Sequence, residues 1–482
     1  MKRPRLTVVL LIMILIPGAG IIYLLGTPDL TSVYPGPGAV EVPAGEPLTL
    51  SFSRVMQQSS VIERLTIDPE QAGSFSWQGS TLIFTPSQPW PSGQPIRVRL
   101  AAGARSAGFL SFSIREEASW SFTIGQPRLA YLFPTDGPSN LYVMNLRTSD
   151  SQQLTNSRAG ILEFDLNSTG SILYYSENGP EGSVNIYALP VLGPVDPQAG
   201  SQPATASELP EPILVLDCPQ ASCRAPKISA DGQYLAYERT DLMGQDQATH
   251  TQVWLLPLEN GLPFSGGFEP YPAGDPSHET LQPGWSSQGW LSYYDNLLAA
   301  FLFVNPRTGE FKNYPNLTGE PGTWNPNREQ FVTPEIVLPP GSVSPSLPNV
   351  EPIASSHLIA FNLENDRLQD LTRAENQEEA APAYAPDGTR IAFARKYLDT
   401  ARWTPGRQLW ILEMETGQAR QLTGDPFYNH YDFSWAPGGS RLAFVRFNQT
   451  LLIEPPEIWV MDTVNLRATR LVVGGYDPKW MP

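Results

Sequence analysis

The chain has 482 residues, among them 49 prolines and 39 glycines, which argues against a mainly helical protein and fits many short strands punctuated by turns. Hydrophobic residues make up 41%, ample for packed cores, and the length allows more than one domain. A net charge of −17 argues against a nucleic-acid partner, whose phosphates would be repelled.

Lys2, Arg3 and Arg5 precede an uncharged run of 21 residues, Leu6 to Gly26. That is long enough to cross a bilayer core as a helix, and Pro17 and Gly18 are tolerated within such a helix. The next basic residue is Arg54, so residues 1–5 are expected in the cytoplasm and the remainder outside it. The run exceeds the apolar core of an ordinary signal peptide, and no A-x-A site follows, so residues 6–26 read as an uncleaved anchor. Beyond them the chain carries 28 basic and 48 acidic residues, which keeps the exported part soluble.

Residues 33–125 hold short runs alternating at period two, among them Leu48–Phe52, Thr81–Pro86, Ile96–Leu100 and Trp120–Ile124. Alternation of this kind marks half-buried strands, and some seven of them in about 90 residues predict a β-sandwich. The segments VYPGPGAVEVPAGEPLTLSFSRVM, FSWQGSTLIFTP and WSFTIG resemble the bacterial Ig-like domains of surface and secreted proteins. The resemblance implies a structural or adhesive module that lifts the next domain off the membrane.

From residue 126 onward a unit of about 45–50 residues recurs, a period that signals a solenoid, propeller or array. The clearest copies are APAYAPDGTRIAFARK followed by QLWILEMETGQARQLT, and DFSWAPGGSRLAFVRF followed by EIWVMDTVNLRATRLV. In the first, Pro386 fixes φ, Asp387 bonds its own backbone and Gly388 supplies φ > 0, so a tight turn joins two strands. Weaker copies start at Ile161, Ala225, Gln282 and Gly322. The region begins in mid-unit with RLAYLFPTDGPSNLYVMNL and finishes with YDPKWMP, which supplies the missing first strand. A C-terminal strand completing the first blade closes a ring and removes two sheet edges. Seven blades result, or six if the unit at Gly322 is not a full blade. Leu192 to Pro212 and Thr333 to Pro352 are expected as long loops between strands.

The repeat resembles that of the TolB family of β-propellers, on Trp435, Pro437, Gly439 and Phe444, on Pro386 to Gly388 with Phe393, on Ile458 to Asp462, and on the Leu-Thr pairs at 154–155, 371–372 and 422–423. The expected fold is therefore all-β: an anchor helix over 6–26, an Ig-like sandwich over 33–125 and a propeller over 126–482.

Little in the chain argues for catalysis. No G-x-S-x-G elbow is present, and the four histidines follow no zinc spacing. Some TolB-like propellers cleave acidic sugars with a metal held by histidines, and the residues here that suit a channel mouth are His430 and Asp432, with Glu378 and Glu379 in the preceding repeat. Their alternative is a set of solvated turn residues. Cys218 and Cys223, in DCPQASC, suit a small loop-closing disulfide in an oxidising compartment; the alternative is two free thiols. Trp254, Trp410 and Trp459 recur at one repeat position and read as packing between blades rather than a sugar platform. The expectation is a membrane-anchored, non-enzymatic extracytoplasmic protein, without metal or cofactor, that binds a protein or peptide. A metal-dependent enzyme acting on polysaccharide and a purely structural envelope protein are the alternatives.

Overall fold

The computed structural model describes residues 27–481, apart from 40–41, 43–45, 89, 92–94, 109–110, 125–127, 147, 192–209, 243–249, 260, 264–268, 338–353 and 374. The expected anchor, residues 6–26, lies outside the described residues, as does most of the two expected long loops. Among the described residues no helix is long and apolar enough to cross a membrane. The chain divides into two compact units, residues 1–126 and 127–482.

In the first unit a four-stranded sheet runs in the order Leu30–Tyr34, Leu48–Phe52, Thr81–Pro86, Gly73–Gln78. A three-stranded sheet runs Leu65–Asp68, Pro95–Leu100, Ala118–Thr123. Alternation decides which side chains go inward: Ile96, Val98 and Leu100 are buried while Arg97 and Arg99 face water. Leu48, Leu50 and Phe52 from the other sheet join them in one core with Trp90, Trp120 and Phe122. The buried indoles still need acceptors. Trp120 Nε1 donates to the Pro35 carbonyl at 3.0 Å and Trp90 Nε1 to that of Glu46 at 2.7 Å. A one-turn helix, Gln58–Ile62, was not foreseen; it buries Ser60 and Val61 under the sandwich.

Among the described residues the second unit comprises seven four-stranded antiparallel blades, of which the second and third are joined into one eight-stranded sheet by a single parallel pairing, Val184 with Ser222. Blade 1 combines the C-terminal strand Tyr476–Met481, innermost, with Arg128–Phe133, Asn140–Asn145 and Ser151–Gln153. The first two strands of the others are Ile161–Leu166 and Ile172–Asn178 in blade 2, Ala221–Ile228 and Tyr234–Asp241 in blade 3, and Thr280–Trp285 and Leu291–Asp295 in blade 4. They are Thr323–Trp324 and Gln330–Val337 in blade 5, Gln377–Tyr384 and Arg390–Tyr397 in blade 6, and Tyr428–Trp435 and Arg441–Asn448 in blade 7. The weak unit at Gly322 is thus a full blade. Its inner strand is only two residues long, and the Gly322 before it packs against Phe331, whose ring would lie 2.2 Å from any Cβ there.

Seven apolar clusters each join two successive blades, and the last joins blade 7 to blade 1 through Ala443, Val445, Ile458, Leu129, Tyr131 and Trp480. The ring is closed by its own core. Burying each large aromatic or aliphatic side chain contributes about 1.5–3 kcal/mol relative to exposure. Trp254, Trp410 and Trp459 pack in these seams, and each carries an arginine of the neighbouring strand over its ring: Arg239 at 5.0 Å, Arg395 at 4.6 Å and Arg446 at 4.2 Å.

The repeat's fixed residues have identifiable work. The Thr of the Leu-Thr pair accepts an N–H of the third strand: Leu141 to Thr155 at 2.9 Å, Leu409 to Thr423 at 2.9 Å, Leu358 to Thr372 at 3.2 Å. The inner-strand Trp donates across to the preceding blade: Trp435 to the Ala383 carbonyl at 3.0 Å, Trp480 to that of Ser434 at 2.9 Å, Trp285 to that of Lys227 at 3.0 Å. Gly388 and Gly439 hold φ of +71° and +66° in their turns, where a side chain is disfavoured.

Candidate functional site

Six of the seven inner strands carry a register shift at the same place, between Tyr431 and Ser434 in blade 7 and between Tyr476 and Lys479 in blade 1, for example. Such a bulge re-aims the side chains at and after it. In blades 7 and 1 the bulged residue is an aspartate, Asp432 and Asp477, each at positive φ. Two residues after Asp477 comes Lys479; the same register position holds Asp165 in blade 2 and Lys227 in blade 3, but Gly284 in blade 4 and Ala383 in blade 6. Charge is therefore gathered on one side of the ring.

A cavity of about 480 Å³ opens between the inner strands of blades 7, 1 and 2, lined by Asp165, Asn167, Asp432, Ser434, Asp477 and Lys479 among others. The Lys479 ammonium donates to Asp477 at 3.3 Å and to the Phe164 carbonyl, and lies 4.3 Å from the Phe164 ring centroid. Burial alone would lower its pKa, but the carboxylates of Asp477, Asp165 and Asp432 outweigh this and raise it, so Lys479 stays charged. Asp165 accepts the Ile228 N–H at 3.1 Å. Asp432 accepts the N–H of Asp477, and its side chain is exposed to solvent. Desolvation by the inner strands, and then the charge of Asp477, push its pKa up to about 7 against the opposing pull of Lys479 and Lys227.

The four residues expected at a channel mouth do not converge. Asp432 lines the cavity. His430, two residues earlier, is 1% exposed, with Nδ1 donating to the Arg407 carbonyl at 2.8 Å and its ring against Phe444. Burial pushes its pKa down to about 4, so it is a neutral core residue. Glu379 is also buried, paired with the Arg395 guanidinium and accepting from Leu358 N at 2.9 Å. Glu378 pairs with Lys396 at 3.0 Å and with Arg407. The physical reason is that the inner strands begin at Gln377 and Tyr428, so these positions are pleated strand, where neighbours face opposite ways, and not loop. Each remaining histidine has a local partner: His278 with Asp295, His357 with Asp370, His250 with the Pro276 carbonyl. Among the described residues no three His, Cys, Asp or Glu groups are placed to hold a metal ion. Asp477 and Lys479 are missed by a reading of YDPKWMP as a closing strand alone; the signal is two charges where blades 4 and 6 carry Gln282 with Gly284 and Ala381 with Ala383.

Cys218 and Cys223 are joined in a disulfide with Cα atoms 6.3 Å apart, and both are buried just ahead of and within the inner strand of blade 3. The bond fixes how the chain enters that strand.

Antiparallel pairing puts the hairpins between second and third strands, and the connections between blades, on one face of the ring. The other turns lie on the opposite face. The loop-bearing face exposes Leu297, Leu317, Trp403, Phe427, Leu452 and Ile453, the last two 76% and 94% exposed. Among the described residues the turn-bearing face is built mainly of tight polar turns such as Pro386–Gly388 and Pro437–Gly439, with Val464 and Leu466 as exposed apolar side chains in a turn.

Residues 26–124 match the family model of the bacterial Ig-like domain. A TolB homologue of Protochlamydia amoebophila is 39% identical over 66 residues, 14% of this chain and 12% of that protein. An uncharacterized peptidase, YuxL, of Bacillus subtilis is 30% identical over 105 residues, 21% of this chain and 15% of that protein. The chain thus spans less than a sixth of the length of the curated relatives it matches. The solved structure of TolB from Acinetobacter baumannii is similar with a TM-score of 0.42 at 12% identity, covering 87% of this chain and 83% of that one. The N-terminal unit is a bacterial Ig-like domain, and the repeat of the propeller is TolB-like.

Proposed function

We propose that this chain is an extracytoplasmic binding protein, held in the membrane by residues 6–26, whose propeller takes up a protein or peptide on its loop-bearing face. The observation that carries this reading is the unequal distribution of exposed apolar side chains between the two faces among the described residues. Leu452 and Ile453 stand at the tip of the hairpin joining the second and third strands of blade 7, almost wholly in water. Burying apolar side chains against a partner is the dominant favourable term in association, and large exposed residues gathered on one face mark an interaction surface. The closed ring supplies the rigidity: loops of different sequence are held on one frame, so little ordering cost attends binding. The work is done by shape and burial and needs no catalytic group.

The test compares full-length chains bearing Leu452→Ser with Ile453→Ser, or Val464→Ser on the opposite face, as baits in detergent extracts of the native host. A protein retained by wild type and by the Val464 variant but lost from the double variant is the expected result. Retention indifferent to the double substitution overturns the assignment of the face. Anchoring is tested separately: the full chain should stay with membranes through an alkaline wash, and a chain lacking residues 1–26 should be released.

A further inference from the structure

We infer that the outer edge of strand Gly73–Gln78 in the Ig-like domain is a self-association site, where it pairs antiparallel with the same strand of a second copy of this chain. The site lies wholly in the first unit and is independent of the loop-bearing face of the propeller.

A strand at the end of a sheet leaves a row of N–H and C=O groups free to pair with another chain, and proteins ordinarily blunt it with charge, proline, a bulge or a cover. Three of the four sheet ends in this unit are blunted. Leu30–Tyr34 is bulged between Leu30 and Ser32 and runs into Pro35. Leu65–Asp68 is four residues long, ends on a charge and is followed by Pro69. Ala118–Thr123 is covered by backbone: Gly38 N donates to the Ser121 carbonyl at 2.8 Å, Val42 N to that of Thr123 at 3.0 Å, and Thr123 N to that of Ala39 at 2.9 Å. Gly73–Gln78 has none of these devices. Its sequence, GSFSWQ, contains no charge and no proline, and it pairs with Thr81–Pro86 over six residues without a register shift. Among the described residues no strand lies on its other side, and every residue in it but Trp77 is exposed.

The ladder fixes which backbone groups point outward. Just ahead of the strand, Ser87 N donates to the Ala72 carbonyl at 2.9 Å, so Ala72 is turned toward the paired strand. In an antiparallel pair, residues that bond to the neighbour alternate with residues that point away from it. Ser74, Ser76 and Gln78 therefore bond inward, and the N–H and C=O of Phe75 and Trp77 point out. A two-fold axis at Ser76 sets Phe75 of one copy opposite Trp77 of the other. Both are outward-bonding positions, so each such pair exchanges both of its N–H···O=C bonds.

The side chains agree with this register. Phe75 and Trp77 face the core side of the sheet, with ring centroids 5.0 Å from Phe84 and 6.1 Å from Phe52, yet Phe75 is still 39% exposed. Pairing lays each Phe75 beside a Trp77 of the other copy and covers it, a cross-strand aromatic contact that stabilises sheets. On the opposite face Ser76 meets its own counterpart and Ser74 meets Gln78, so no charges oppose one another. That matters in a chain of net charge −17, whose copies repel at most contacts. Backbone, apolar face and charge are thus all self-complementary about one axis, which selects a second copy over a foreign strand.

The test is cysteine cross-linking of the full-length chain in cells of its native host, with copper phenanthroline as oxidant. The two native cysteines are joined to each other, so one introduced at the edge supplies the free thiol. Opposed Cα atoms at a pair without mutual hydrogen bonds lie about 4.5 Å apart, within disulfide reach. Ser76→Cys should give a covalent dimer, and because Ser76 is exposed its replacement leaves folding intact. Ser74→Cys and Gln78→Cys should each stay monomeric, since each lies about 13 Å from its own counterpart, while the two co-expressed should cross-link. Adding Phe75→Pro to Ser76→Cys removes an outward N–H from each copy and spares the inward ladder, so dimer yield should fall at least about tenfold. Absence of a dimer from Ser76→Cys overturns the inference, as does equal cross-linking from Ser74→Cys, which marks random collision. A Ser76→Cys adduct to a different protein in place of the dimer also overturns it and assigns the edge to a foreign strand. Should the proline variant fail to fold, the single-cysteine chains decide.

Discussion

On the turn-bearing face blades 6 and 7 present nearly the same chemistry, Pro386-Asp387-Gly388 and Pro437-Gly438-Gly439, with Gly388 and Gly439 at matching positive φ. On the loop-bearing face the same two blades present Trp403 on one hairpin and Leu451 to Ile453 on the other. The turns repeat because each must reverse a strand within a fixed blade width, and few residues take the required backbone angles. The hairpins on the other face carry no such demand. Whatever distinguishes this propeller from others with the same repeat is therefore concentrated on the loops and in the inner-strand positions around the ring's cavity, and mutations in the two regions should behave differently.

The largest effects belong to the seams that close the ring. Phe444, 1% exposed between blades 6 and 7, should cost about 3–5 kcal/mol of stability when replaced by alanine, read from the denaturant midpoint. Glu379→Ala leaves Arg395 buried and unpaired and should cost about 3 kcal/mol by the same measurement. Trp435→Phe removes the indole donor to Ala383 and narrows the ring beneath Arg390, and should cost about 1–2 kcal/mol. Leu452→Ser and Ile453→Ser should stay within about 0.5 kcal/mol. A loop substitution as costly as a seam substitution would erase the distinction between frame and loops.

Acid sensitivity separates two groups on one strand. His430 has a native pKa of about 4 against 6.5 in the unfolded chain. Between those values the unfolded state binds more protons, so its contribution to stability is full above about pH 6.5 and is lost as pH falls toward about 4. Asp432 runs the other way: its native pKa is about 7 against 3.8 unfolded, the native state binds more protons, and its contribution falls as pH rises through that window. His430→Gln should therefore flatten or invert the rise of stability with pH, while Asp432→Asn should steepen it. Urea denaturation at a series of pH values reads both.

Much of the architecture was legible because turn chemistry is local. Gly388, the Leu-Thr pairs and the strand alternation of Leu48 to Phe52 announce themselves within a few residues, and the split closing blade followed from matching Arg128 onward with Tyr476 onward. Blade 5 was faint because Gly322 and a two-residue inner strand replace the usual motif. The helix at Gln58 to Ile62 was hidden because its stability comes from packing Val61 under the sandwich and not from its own propensity. The candidate site was legible at Asp432 alone. Which side of a strand a residue faces depends on where the strand begins and where it bulges, so His430 and Glu379 went into the core while Asp477 and Lys479 met Asp432 across the seam between blades 7 and 1.

The central claim is that the loop-bearing face is where the partner sits. A photo-reactive amino acid placed at Ile453 or at Val464 of the full chain in its native host tests it directly. Both positions are exposed, at 94% and 78%, on the same blade and on opposite faces. Irradiation should yield a discrete heavier adduct from position 453 and none from position 464. Adducts from 464 alone, or the same adducts from both, would contradict it.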